Sequence, residues 1–139
     1  MNFIPPRSGY GLIQEDLWPD EWKILISCIM LNCTSRKQVE KTLPLFFFKW
    51  SCAEDLISAD KNEVAEIISC LGLKNKRTKN IFDMSHAYLN KKWETPEDLP
   101  GIGEYGMRTW KIFIKNDLGE FKPNDGVLAK YWMWRKHGN

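Results

Sequence analysis

The chain has 139 residues, a formal net charge of +2 and 43% hydrophobic residues. This hydrophobic content, together with 13% aromatic residues, predicts a folded domain and excludes an intrinsically disordered chain. No apolar run is long enough to cross a membrane, and the first residues lack the apolar core of a signal peptide. We therefore expect an intracellular protein that has no membrane partner.

The four cysteines are widely spaced along the chain, with no C-x-x-C pair and no close histidine. This spacing argues against a metal or iron–sulfur site. It favours reduced thiols that mostly fill the core.

Charge is distributed unevenly along the chain. Residues 54–66 carry five acidic residues against one lysine, whereas residues 74–92 carry six lysines or arginines against one aspartate. The basic stretch predicts a face for a polyanion. An ordinary solvated helix face is the alternative, since it would show the same pattern.

The apolar periodicity predicts an all-α chain of about eight helices with short connections and no strands. Residues 1–18 predict an extended arm, because they contain two adjacent prolines and two glycines. The next helix begins near Glu21 and is apolar nearly all round, which predicts a buried central position. Thr34 or Ser35 is expected to cap the helix that follows, and Pro44 to kink or break it.

The second half of the chain continues this helical pattern. Ser51 is expected to open a capping box, and a long helix is expected from about Arg77 to Leu89. Pro96 suits the first position of a short helix or turn. A glycine-rich segment, residues 99–106, and two further helices complete the chain, the last beginning near Asp125.

The segment of residues 99–106, which we call the hairpin, predicts an anion site. Gly101 and Gly103 are expected to turn the backbone tightly and to expose its N–H groups, and the following helix adds its positive dipole end. The L-P-G-I-G core of residues 99–103 resembles the helix-hairpin-helix motif. The alternative is a plain turn between helices that needs glycine.

That resemblance implies binding to the DNA backbone without recognition of the base sequence. A DNA phosphate would be held by backbone N–H groups, and a monovalent cation by backbone carbonyls. The residues implied are Gly101, Gly103 and Gly106 for the phosphate, and Leu99 and Ile102 for the cation.

Further matches in one register extend the resemblance over most of the chain. They include residues 5–8, 12–15, 71–73, 101–103, 105–106 and 130–131. The chain resembles the helix-hairpin-helix DNA glycosylase superfamily, and in particular the glycosylase domain of the methyl-CpG-binding thymine DNA glycosylases. The resemblance implies one glycosylase domain over residues 1–139, in two helical lobes with the active site between them. Its parts are an N-terminal arm (1–18), lobes formed by residues 19–98 and by the termini, the hairpin (99–106) and a catalytic loop (122–126).

The same resemblance assigns chemical roles. Asp125, twenty residues beyond Tyr105, corresponds to the carboxylate that stabilises positive charge developing on the sugar. Tyr105 stands where bifunctional members have a Schiff-base lysine, so the chain should release the base without cutting the strand. Tyr105 is then expected to orient the flipped nucleotide, and Gln14 to read the edge of the base. Without the resemblance, Asp125 would be interpreted as a turn or N-cap residue.

The remaining assignments concern the grip on duplex DNA. Leu73 corresponds to the wedge that fills the space vacated by a flipped base, whereas without the resemblance it would be a core leucine. Lys74, Thr34 and Ser35 are expected to contact phosphates. Three positions depart from the family pattern: Cys33 replaces an arginine, and Gly126 and Val127 replace a histidine and a lysine.

The sequence therefore predicts a monofunctional DNA glycosylase for mispaired thymine or uracil, opposite guanine. Its partner would be double-stranded DNA with a mismatched or damaged base, bound by a monomer with no cofactor and no iron–sulfur cluster. The resemblance implies a nuclear location if the organism is eukaryotic. The alternatives are a non-catalytic helix-hairpin-helix module, a glycosylase for another lesion, and a helical domain that engages another protein.

Overall fold

The computed structural model describes residues 3–32, 34–124 and 126–137. In chain order its helices are α1 (Ile13–Leu17), α2 (Glu21–Leu31), α3 (Arg36–Lys49), α4 (Ala53–Ile57), α5 (Lys61–Ile67), α6 (Lys74–Asn90), α7 (Glu104–Phe113) and α8 (Gly126–Lys136), with short 3-10 turns at Ser69–Leu71 and Pro96–Asp98. No strand occurs in these described residues, so the all-α prediction is confirmed. None of the described helices has the length and apolar character needed to cross a bilayer.

Helix α2 is the centre of the fold, as its sequence predicts. Its residues from Ile24 to Met30 are all buried, and it packs against α1, α3, α6 and α7. Asp20 caps its N-terminus by accepting a hydrogen bond from the Lys23 N–H at 3.0 Å. A helix that is apolar on every side can bury its surface only when other helices pack against it on every side.

The buried apolar residues form two clusters, which correspond to two helical lobes. The larger cluster gathers side chains of α2 to α6 around residues such as Phe46, Leu56 and Ile81. The smaller cluster joins the N-terminal arm to α7 and α8 through Leu12, Phe113 and Tyr131, among others. Neighbouring residues Leu12 and Ile13 belong to different clusters, so α1 lies at the boundary between the lobes.

Several helix boundaries differ from the sequence predictions. Residues 13–17 form α1 inside the predicted extended arm, and α3 continues for five residues beyond Pro44 instead of breaking there. Pro44 is exposed, so water can serve the carbonyl that loses a helical partner. The capping box predicted at Ser51 is also wrong, since Cys52 is the N-cap of α4 and makes no side-chain cap.

The cysteines differ in burial, so they do not all fill the core. Cys28 is buried and Cys52 is half-buried. Cys70 is exposed, with its Sγ 3.3 Å from Thr42 Oγ1, so the core-filling prediction is wrong for it. Cys33 lies outside the described residues.

Candidate functional site

The hairpin makes its sharp turn at Gly101, not at both predicted glycines. Gly101 has φ +83°, and a Cβ there would lie 2.9 Å from Asn80 Cβ on α6. Gly103 instead has an extended backbone, with φ −100° and ψ −161°, and a Cβ there would meet nothing within 4 Å. The prediction of a tight turn at Gly103 is therefore wrong. Its missing side chain leaves open space above the backbone.

Helix α7 begins directly after this open space. Gly103 is its N-cap and supplies no side-chain cap, so the first-turn N–H groups have no capping side chain. Gly106, in this first turn, is buried, and a Cβ there would lie 2.9 Å from Ile102 Cγ2. Close packing against Ile102 thus explains why position 106 is a glycine. The uncapped start of α7 is suited to an anion.

Gln14 and Tyr105 lie 91 residues apart in sequence and meet directly in the structure. Gln14 Nε2 donates a hydrogen bond to the Tyr105 hydroxyl at 2.6 Å and lies 3.5 Å from Thr109 Oγ1. The Gln14 side chain is buried, with 1% of its surface exposed. An amide oxygen has two acceptor sites, so Gln14 Oε1 has the chemistry to accept a hydrogen bond from a ligand.

Tyr105 lines two cavities. The first, of about 120 Å³, lies between the lobes and is lined by Leu12, Ile13, Gln14, Leu31, Thr34, Arg36, Tyr105 and Val127. The second, of about 270 Å³, is lined by Glu104, Tyr105, Arg108, Phe121, Lys122, Pro123, Asn124 and Leu128. Asp125 lies outside the described residues. Among the described residues near it in sequence, Asn124 lines the second cavity and Val127 lines the first.

Leu73 is exposed at the tip of a strained turn, residues 71–73, which we call the wedge turn. Its backbone is left-handed, with φ +51° and ψ 40°, and 62% of its surface is exposed. A bulky residue in this conformation costs about 1–3 kcal/mol. The alternative of a core leucine is thus excluded, and an apolar side chain is presented to the surroundings.

Helix α6 begins immediately after the wedge turn, at Lys74 and not near Arg77 as predicted. The left-handed residue ends the preceding turn, and the Arg77 N–H makes a helical bond to the Leu73 carbonyl at 2.9 Å. Lys74 is exposed in the first turn of α6. Its predicted phosphate contact stays a prediction, as do the other predicted roles in this site.

Thr34 and Ser35 lie between α2 and α3, with different hydrogen bonds. The Thr34 hydroxyl donates to the Leu71 carbonyl at 3.0 Å, and its backbone N–H donates to the Leu31 carbonyl at 3.4 Å. Both Thr34 donors therefore have partners inside the protein. The Ser35 hydroxyl oxygen caps α3 by accepting from the Gln38 N–H at 3.3 Å, which leaves its proton for an outside acceptor.

The basic stretch of residues 74–92 is not uniformly a surface feature. Its lysines are exposed, and Lys79 is paired with Asp83 at 2.6 Å. Arg77, in contrast, is buried, with 4% of its surface exposed, and it donates to backbone carbonyls. Counting Arg77 with the cations that face a polyanion is therefore wrong.

The buried carboxylate of Glu15 and the half-buried carboxylate of Glu21, which the sequence did not single out, fix the elements of the site. Glu15 accepts from the Ser8 N–H at 2.7 Å and the Leu12 N–H at 3.1 Å, which fastens the arm beside Gln14. Glu21 accepts from Trp110 Nε1 at 2.6 Å and from the Tyr88 hydroxyl at 3.1 Å, which joins α2 to α7 and α6. The only sequence signal for these roles was the position of each acidic residue, one or two residues from an apolar run.

Two tyrosine hydroxyls act as neutral donors that hold this frame. Burial, with help from the nearby Glu21 carboxylate, raises the pKa of Tyr88 well above its usual range. Burial also raises the pKa of Tyr131, although Arg135 opposes this shift. The Tyr131 hydroxyl donates to the Pro6 carbonyl at 2.7 Å and so ties the arm to α8.

The described residues contain no group of three or more His, Cys, Asp or Glu side chains arranged to hold a metal ion. The described polar groups at the site include the Gln14 amide, the Tyr105 phenol and the uncapped start of α7. Such groups can orient a polar planar ligand and bind an anion beside it.

Comparison with known proteins gives a consistent result. Residues 26–130 match the model of the HhH-GPD superfamily of base excision DNA repair proteins. The chain is 36% identical over 131 residues to a methyl-CpG-binding domain protein 4-like protein of Arabidopsis thaliana, covering 94% of this chain and 29% of that relative. It is 32% identical over 93 residues to a thymine/uracil-DNA glycosylase of Methanothermobacter thermautotrophicus, covering 62% and 42%.

A solved structure supports the same fold. A thermostable thymine-DNA glycosylase aligns with a TM-score of 0.67 at 27% identity, over 75% of this chain and 51% of that one. The chain spans less than half the length of the curated relatives it matches.

Proposed function

We propose that this chain, which belongs to the HhH-GPD superfamily of base excision DNA repair proteins, is a monofunctional DNA glycosylase. Its substrate would be thymine or uracil mispaired with guanine in duplex DNA, and its product an abasic site. The observation that carries the proposal is the Gln14–Tyr105 pair in an interlobe cavity that Val127 also lines, next to a second cavity lined by Tyr105 and Asn124. The names of the thymine and uracil glycosylases similar to this chain support the choice of substrate.

Gln14 would read the base. Its Nε2 is used toward Tyr105 and Thr109, which leaves Oε1 as an acceptor. Thymine and uracil present an N3–H donor on their pairing edge, whereas cytosine presents an acceptor at N3. An amide oxygen fixed in this orientation therefore favours the former two, because a buried acceptor facing another acceptor is costly.

Asp125 would supply the carboxylate for bond cleavage. As the bond between the sugar C1′ and the base breaks, positive charge develops on the sugar, and a nearby carboxylate stabilises it. The oxygen of a water molecule then bonds to C1′, its proton passes to the carboxylate, and the base leaves with the electron pair of the broken bond. Tyr105 has no amine to form a Schiff base, which supports base release without strand cleavage.

The hairpin and Leu73 would provide the grip on DNA. The uncapped start of α7, with open space above Gly103, suits a phosphate. An exposed apolar side chain at Leu73 suits the gap left by an extruded base. We further propose that the protein acts as a monomer without a cofactor, apart from a monovalent cation at the carbonyls of Leu99 and Ile102.

A base-release assay tests the proposal. The protein is incubated with labelled duplexes containing one G·T, G·U or A·T pair, and abasic sites are cleaved with alkali. We expect product from the two mispairs only, and a loss of about 10²- to 10⁴-fold in Asp125→Asn. Asp55→Asn, which alters an exposed carboxyl in the first turn of α4, is the matched control and should keep full activity.

The same assay separates the alternatives. Duplex binding with no base release would favour a non-catalytic module, and release of a different damaged base would identify another lesion. Strand cleavage without alkali, together with a covalent product trapped by borohydride, would contradict the monofunctional assignment. Full activity in Asp125→Asn would exclude Asp125 as the catalytic residue.

A further inference from the structure

The buried guanidinium of Arg77 is an unusual feature of the first turns of α6. Only 4% of the Arg77 surface is exposed. A buried cation is stable only when its donors are satisfied. Arg77 Nη1 donates to the carbonyls of Leu71 at 2.6 Å and Gly72 at 2.5 Å, and Nη2 donates to the carbonyl of Asn32.

Two of these carbonyls belong to the wedge turn itself. Leu71 and Gly72 directly precede Leu73, whose carbonyl receives the backbone N–H of Arg77. The Thr34 hydroxyl adds a further bond to the Leu71 carbonyl. One residue therefore holds the wedge turn through both its side chain and its backbone, on the interior side of an exposed leucine.

The third carbonyl links the wedge turn to the candidate base cavity. Asn32 ends α2, and Thr34 lines the interlobe cavity with Gln14 and Tyr105. The planar fork of a guanidinium spans several acceptors in fixed directions, which a lysine ammonium does not. Arg77 thereby fixes the wedge turn relative to the segment that borders the cavity.

We infer that Arg77 is a positioning residue for the Leu73 wedge. This inference rests on the proposed function, because it concerns the extrusion step of that reaction. A side chain that displaces a stacked base must be held in position by a rigid turn. Fixing the turn before DNA binds removes an ordering cost that would otherwise be paid during extrusion.

Arg77→Met tests this role, because it keeps an unbranched apolar stem and removes every side-chain donor. Extrusion is measured by the fluorescence of 2-aminopurine placed beside a G·U mispair, and base release by single-turnover assay. We expect both to fall about tenfold or more, with partial recovery in Arg77→Lys. Thr34→Val, which removes one bond to the Leu71 carbonyl, should give a smaller loss in the same direction.

A double-mutant cycle with Leu73→Asn distinguishes positioning from a general loss of stability. If Arg77 acts through Leu73, Arg77→Met causes little further loss of extrusion in the Leu73→Asn background. Ser85→Ala is the matched control, because Ser85 is buried on the same helix and its hydroxyl accepts from Trp22 Nε1 at 2.9 Å, away from the wedge turn. It should lower stability and leave extrusion unchanged.

Equal losses from Arg77→Met in both backgrounds would overturn the inference, and so would an equal loss in Ser85→Ala at matched stability. If Arg77→Met does not fold, Arg77→Lys and Thr34→Val carry the same cycle. The fluorescence readout does not require catalysis. A parent protein that extrudes the base without releasing it would therefore contradict the proposed function and leave the role of Arg77 testable.

Discussion

The wedge turn and the hairpin are two exposed turns that each lead into a helix, but they differ in the residue that adopts the left-handed backbone. Each uses a positive φ, at Gly72 and Leu73 in one and at Gly101 in the other, and each leads into a helix without a side-chain cap. The hairpin places glycine at its strained position, whereas the wedge turn tolerates strain at a leucine. The hairpin thus leaves open space above Gly103, whereas the wedge turn exposes an apolar side chain at Leu73.

The two turns are supported by the same helix. Gly101 packs against Asn80 on α6, and the wedge turn is fastened by Arg77 on α6. The support differs in kind, because the hairpin depends on close packing of backbone against a side chain, and the wedge turn depends on hydrogen bonds to a buried cation. Changes that alter one support should therefore leave the other turn intact.

Among changes to the two turns, the largest effect is expected from Leu73→Asn. Asparagine is tolerated in the left-handed region and is a good N-cap, so stability should be kept or raised by about 0.5–1 kcal/mol. Loss of the apolar side chain should lower base release from a mispair by about 10- to 100-fold, because extrusion costs a few kcal/mol. Urea unfolding and single-turnover assays measure the two effects. Unchanged base release would show that Leu73 is not the wedge.

Gly101→Ala tests how much the packing of the hairpin against α6 contributes to stability. Positive φ and the 2.9 Å approach to Asn80 Cβ should together cost about 2–4 kcal/mol in urea unfolding. Gly9→Ala is the matched control, since Gly9 has the same φ of +83° but would meet nothing within 4 Å. It should cost only about 1 kcal/mol. Similar costs at both positions would mean that the contact with α6 contributes nothing.

Gly103→Ala tests whether the open space above the hairpin backbone is needed for DNA binding. It has the smallest expected effect of the three substitutions. Its backbone is extended and its surroundings are empty, so the free energy of unfolding should change by less than about 1 kcal/mol. Affinity for undamaged duplex, measured by fluorescence anisotropy, should fall about tenfold if a phosphate approaches this backbone. Undiminished affinity would contradict a phosphate at the hairpin.

The sequence by itself determined the features that are local or strongly periodic. The central position of α2 followed from a helix that is apolar all round, and the hairpin followed from Pro96 and the glycine spacing. The family resemblance predicted from those motifs is confirmed by the match over residues 26–130. Such features could be predicted because neighbouring residues alone decide the backbone conformation or the buried face.

Only the tertiary structure decided the features that depend on distant contacts. The sequence pattern gave no reason to bury Arg77, because its partners are backbone carbonyls, which carry no sequence signal. The start of α6 at Lys74 depends on the strained backbone of Leu73, and the orientation of Gln14 depends on Tyr105, 91 residues away. A side chain's exposure and its hydrogen-bond partners are set by how the helices pack, so basic residues in one run can face water or the core.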